Sequence, residues 1–142
     1  MSAEDLYHEA LVRLARAARG AGRLEGAAGA ATLDNPLCGD RASFQVRLAG
    51  DRIEALAHQV RGCVLCEASA SFLGGAAPGW TGAEVEAARG ALEALLAGGG
   101  PAVVGPFGGL SVFAPVRAAP SRHGCVLLPF DALRAALAEA KG

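Results

Sequence analysis

The chain has 142 residues, with thirteen basic against fourteen acidic side chains; 52% of its residues are hydrophobic, only 5% aromatic, and 20 are glycine. That length suits one domain with a core of small side chains, and the near balance of charge offers no basic face to nucleic acid and no cationic stretch to a membrane. The opening MSAEDLYHEA has no basic n-region or apolar h-region, and the apolar PAVVGPFGGLSVFAPV is broken by glycine and proline and too short to span a bilayer, so a cytoplasmic chain with reduced cysteines is expected.

Residues 2–18 are predicted as a helix, with Ser2 and Asp5 resembling a capping box and Leu6, Ala10 and Leu14 at helical spacing. Residues 19–34, RGAGRLEGAAGAATLD, have no period and read as a flexible loop. In SFQVRL, Phe44, Val46 and Leu48 alternate with polar neighbours, the pattern of a strand with one buried face. Gly50-Asp51 signals a hairpin turn, and IEALAHQVR returns as the second strand. A short helix opens at Cys63. Thr81 and Glu84 cap another that runs to about Leu96, with Val85, Ala88, Leu92 and Leu95 on one face. AGGGPAVVGPFGG reads as a loop, and the chain from Asp131 as a last helix. His8 and His58 read as structural or exposed, and Trp80 as a packing anchor. The expected fold is a single α+β domain over 1–142, a small antiparallel meander with helices on one side.

The cysteines fall at element ends. Cys38 and Asp40 precede the hairpin, Cys63 follows it, and Cys125 precedes the last helix. A meander brings Cys38, Asp40 and Cys63 to one edge, whereas Cys125 has to be delivered by tertiary structure. Three thiolates and a carboxylate suit zinc or an iron–sulfur species. Gly39 allows a backbone conformation closed to residues with a Cβ. A helix N-terminus at Cys63 favours the thiolate. Free cysteines are also often plain core residues, and spacing alone leaves both readings open.

The segments Asn35-Pro36-Leu37-Cys38-Gly39-Asp40, Gly62-Cys63, Ala68-Ser69-Ala70-Ser71 and Arg122-His123-Gly124-Cys125 resemble, in order and interval, the IscU, SufU and NifU N-terminal scaffold family. The resemblance covers roughly residues 35–137. A helix and a loop lie between Cys63 and Cys125, and Gly124 stands where IscU-type proteins carry histidine. Both features resemble the SufU type, with 74–120 as its insertion region. The resemblance implies an iron–sulfur cluster assembly protein, a scaffold or sulfur relay rather than a conventional enzyme. Cys38, Asp40, Cys63 and Cys125 would hold a zinc ion or a transient iron–sulfur cluster. Cys38 would accept persulfide sulfur, and Arg122 would stand beside the site. Implied partners are a SufS-like cysteine desulfurase and downstream Suf components or apo iron–sulfur proteins, with the chain a monomer or weak homodimer.

Three departures stand out. The family's early H-Y-x-N-P-R-N segment is replaced by LVRLARAARGAGRLEG, so docking to partners is expected to differ. Pro129 should make the last helix start late or kink. Cys66, one helical turn from Cys63, is either a small core residue or an auxiliary thiol able to take sulfur from Cys38 or bridge to Cys63. His123 reads as a surface residue or one beside the site rather than a ligand. Two other functions compete: a dithiol oxidoreductase built on CVLC, and a protein with a purely structural zinc.

Overall fold

The alternation in SFQVRL marks the middle of the sheet. A computed structural model, describing residues 3–98 and 105–141, places it in β2 (Asp40–Ala49), paired antiparallel with β3 (Arg52–Arg61). Ala42, Phe44 and Val46 of β2 are fully buried, and Arg41 between them and Asp40 is exposed. Gly50 has φ of +64° and Asp51 does not have a positive φ, the II′ pattern that matches the twist of a two-residue hairpin. A bulge between Arg47 and Leu48 shifts the register, so that Leu48 faces Ile53.

A third strand lies in the segment expected to be a flexible loop. Residues Gly29–Asn35 form β1, paired antiparallel with β2 from Gly29 opposite Val46 to Asn35 opposite Asp40. Small side chains hide its alternation; the strand is fixed by its ladder and by the helix above it. A Cβ on Gly29 would run into the Ala136 carbonyl and Ala140 of the last helix, so only glycine permits that approach. Ahead of β1, Gly20–Gly22 lie along the outer edge of β3. The His58 N–H donates to the Gly20 carbonyl at 3.0 Å, and the Gly22 N–H donates to the His58 carbonyl at 2.9 Å. This closes part of an edge that would otherwise be open to another strand.

His58 is 5% exposed and tilted against Phe44, with ring centroids 5.3 Å apart. Burial pushes its pKa down, so the ring is neutral. Its Nε2–H donates to the Arg19 carbonyl at 2.6 Å and leaves Nδ1 buried without a partner. The imidazole thus ties the first connector to the sheet, while His8 is exposed.

The helices are α1 (Ala3–Ala17), α2 (Val64–Ala76), α3 (Gly82–Leu96) and α4 (His123–Lys141), with 3₁₀ turns over Gly105–Ala118 and Pro120–Arg122. Ser2, half of the expected first cap, lies outside the described residues, as do 99–104 of the expected loop. The later part of that loop, 105–109, is in 3₁₀ turns instead. The Thr81–Glu84 capping box is formed, with Glu84 N–H to Thr81 Oγ1 at 3.2 Å and Thr81 N–H to Glu84 Oε1 at 3.1 Å. Trp80 is 7% exposed and meets Phe107 edge-on at 5.3 Å, in keeping with a packing anchor.

The last helix begins eight residues before the expected Asp131, at His123, and carries Pro129 inside it. Proline there removes one N–H, the donor for the Cys125 carbonyl. Packing offsets the loss: Val126, Phe130 and Leu133 are fully buried against the sheet and α2. Arg89 on α3 donates to Asp131 on α4 at 2.6 Å, pinning the two helices together. Cys125 therefore sits in the first turn of α4 rather than ahead of it. α4 lies over β1 and β2, and α2 packs on β3, so the sheet is covered on one side.

Candidate metal centre

The β1–β2 turn is built around Asn35. Its carbonyl accepts the Gly39 N–H at 2.8 Å, and its side-chain Oδ1 accepts the Leu37 N–H at 3.1 Å. Gly39 has φ of +72°, in the left-handed region that glycine enters without penalty. Cys38 therefore lies at the tip of a tight turn, half-exposed, with Leu37 beside it 95% exposed.

Asp40 opens β2 and is only 2% exposed. Such burial of a carboxylate needs donors. The Cys63 N–H donates to Oδ1 at 3.1 Å, while the thiols of Cys38 and Cys63 donate to Oδ2 at 3.3 and 3.6 Å. Cys63 is the N-cap of α2, so the helix N-terminus faces the same carboxylate. Gly62 leaves the room: a Cβ there would press directly on Asp40 Oδ1.

The first turn of α4 brings Cys125 in from the other side, fully buried, with its Sγ 3.0 Å from Cys38 Sγ. Donor atoms of Cys38, Asp40 and Cys125 all lie within 4.8 Å of one another. Cys63, the fourth expected ligand, stands outside that group and reaches Asp40 Oδ2 with its Sγ at 3.6 Å. Burial pushes the Asp40 pKa up, but hydrogen bonds from Cys125, Cys38 and Cys63 outweigh it and hold the carboxyl below its usual range. Burial, then the hydrogen bonds with Cys38 and Asp40, pushes the Cys125 thiol up. The carboxylate is thus charged and accepts protons shared from sulfur. A cation entering the cluster would take the place of those protons.

The other residues singled out from the sequence lie apart from this cluster. Cys66 is fully buried among the core residues, and burial first, then the charges of Asp40 and Cys63, holds its proton on. His123 is turned away, its Nε2–H donating to the Val116 carbonyl at 3.0 Å. Arg122 is exposed at the end of the 3₁₀ turn before α4, and its guanidinium makes no hydrogen bond or ion pair among the described residues. Sequence reasoning gave no role to Asn35 or Gly62, nor separate roles to the two buried serines. Ser69 Oγ donates to the Val126 carbonyl at 2.6 Å, next to Cys125, and Ser71 Oγ accepts the Arg19 N–H at 3.0 Å. The alternation in ASAS was the available signal, since polar residues amid a buried helical run need internal partners.

Residues 6–94 match the model of the NifU-like N-terminal domain, well over half of the chain. The chain belongs to that family. A relative in the family, the iron–sulfur cluster assembly scaffold protein IscU of Streptococcus pyogenes serotype M1, is 31% identical over 116 residues, 82% of this chain and 72% of the relative. The crystal structure of the N-terminal part of a nitrogen-fixing NifU-like protein from Brucella abortus superposes with a TM-score of 0.90 and 30% identity, over 97% of this chain and 96% of that one. A protein of Fervidobacterium islandicum AW-1, described as a scaffold for iron–sulfur cluster assembly in the SUF system, shares the fold with a TM-score of 0.85. It is 24% identical, over 96% of this chain and 99% of that one. The family match ends before Cys125, so the place of the third thiol comes from the structure. Among the described residues no helix is long and apolar enough to cross a membrane.

Proposed function

We propose that the chain is a cytoplasmic iron–sulfur cluster assembly protein. In this reading it accepts persulfide sulfur from a cysteine desulfurase at Cys38 and holds either a zinc ion or a nascent cluster through Cys38, Asp40, Cys63 and Cys125. The observation that carries the reading is the meeting of Cys38 and Cys125 at 3.0 Å over a buried carboxylate that Cys63 also contacts. The name of the Streptococcus relative supports it. Three sulfurs and one carboxylate oxygen fit zinc or iron, and a bound ion would keep the sulfurs as thiolates. Asp40 is the one hard donor of the set and so the ligand most easily exchanged. Arg122, exposed in the turn just before α4, is assigned to the rim of the site, where it would meet an incoming anionic group. A dithiol oxidoreductase at CVLC needs Cys66 as the thiolate that resolves a mixed disulfide on Cys63, and burial, then the charges of Asp40 and Cys63, hold its proton on, which argues against that function.

The test is metal and sulfide analysis of protein purified under nitrogen. One colourless zinc per chain supports the relay form, and brown protein with iron and sulfide supports the scaffold form. Protein that takes up neither metal, even on reconstitution, refutes the site. Gly62→Ala checks the carboxylate's part. The added methyl displaces Asp40, and metal affinity measured by chelator competition should fall about 10- to 100-fold, as when a partner that orients a ligand is lost. Unchanged affinity would remove Asp40 from the ligand set.

A further inference from the structure

The geometry points to Asn35 as a positioning residue that joins the Cys38 turn to the first turn of α4, so that Cys38 and Cys125 face each other. Asn35 ends β1 opposite Asp40, and its carbonyl and Oδ1 hold the two N–H groups that flank Cys38. The remaining atom of the side chain, Nδ2, stands over Gly124. A Cβ on Gly124 would come within 2.7 Å of it. Gly124 does not have a positive φ, so what glycine supplies there is room for the amide and not a torsion. The pair therefore acts as one device: the amide grips the turn at one end and rests on the helix beside Cys125 at the other. A side chain at position 124 would lift the amide, free the Leu37 N–H, and let the Cys38 tip drift from Cys125.

The consequence for metal binding rests on the proposed function; the consequence for thiol proximity does not. Cobalt(II) is the probe for the first. In Asn35→Ala its release to a chelator should quicken about 10-fold, with the thiolate-to-cobalt absorption bands shifted, because the ligand remains but its support is gone. Gly124→Ala should do the same. The double variant should be no worse than either single one, because both changes remove one contact. Multiplying effects in the double variant, or wild-type release in Asn35→Ala, overturn the inference.

The metal-free arm uses diamide, which takes two electrons and two protons from a pair of thiols as they join in a disulfide. Cys38–Cys125 joining should slow about 10-fold in Asn35→Ala and in Gly124→Ala, while circular dichroism shows the fold kept. Wild-type joining rates in both variants overturn the inference even if cobalt never binds. Slowed joining with no cobalt uptake by the wild-type chain leaves the positioning role standing and removes the metal reading.

Discussion

Cys38→Ser is expected to abolish sulfur acceptance, bringing persulfide on the chain to background after incubation with a cysteine desulfurase and cysteine. In the proposed relay the Cys38 thiolate attacks the outer sulfur of the donor's persulfide. The donor S–S bond breaks, its thiolate leaves, and a persulfide remains on Cys38. A serine hydroxyl at neutral pH cannot make that attack. No other sulfur is so placed. Cys38 is at the tip of a turn, with an exposed leucine beside it. Cys125 is buried in the first turn of α4 and Cys66 in the core, while Cys63, though partly exposed like Cys38, caps α2 rather than standing at the tip of a turn. The turn should survive the substitution because its hydrogen bonds belong to Asn35. Mass spectrometry of the intact chain and its peptides reads the result. A wild-type yield of persulfide on Cys63 or Cys125 would reassign the acceptor.

What the sequence made legible follows from which signals are local. The hairpin declared itself because Phe44 and Val46 alternate with polar neighbours, and the Thr81–Glu84 cap because two side chains three residues apart satisfy the helix end by themselves. β1 was missed because alanines and a glycine carry little pattern; its strand state is imposed by β2 and by α4 resting on Gly29. The start of α4 was missed because Pro129 argues locally for a break, while burial of Val126 and Phe130 outweighs one lost hydrogen bond.

The candidate site divides the same way. NPLCGD and the N-terminus of α2 put Cys38, Asp40 and Cys63 at one end of adjoining strands, as a meander requires. The approach of Cys125 depends on α4 crossing the sheet, which no spacing shows. Gly62 is a further case: beside a cysteine it reads as a turn residue, yet what it supplies is room for the Asp40 carboxylate. Its role is visible only once the neighbouring Cys63 meets Asp40, 23 positions back in the chain.

Oxidation separates sequence logic from structural logic most sharply. CVLC pairs Cys63 with Cys66, but the structure pairs Cys38 with Cys125. Metal-free protein treated with diamide should therefore yield one principal bridge, Cys38–Cys125. Cys66 should remain a free thiol, because it is buried in the core and, unlike Cys125, has no other sulfur within hydrogen-bonding reach among the described residues. The half-exposed Cys38 can be reached by the oxidant, and the resulting mixed species is resolved by the nearest sulfur, which is Cys125. The bridge would link positions 87 apart in the chain. In the chain-entropy limit that constrains the unfolded state by about 4 to 5 kcal/mol, so oxidised protein should melt well above reduced, metal-free protein. Peptide mapping and melting curves check both halves of the expectation. Cys38→Ser should remove the bridge and the added stability together, whereas Cys66→Ala should change neither, and bound metal should protect the wild-type chain from oxidation. A dominant Cys63–Cys66 bridge would mean that the first turn of α2 opens readily in the absence of metal, and the auxiliary-thiol role for Cys66 would then have to be taken up again.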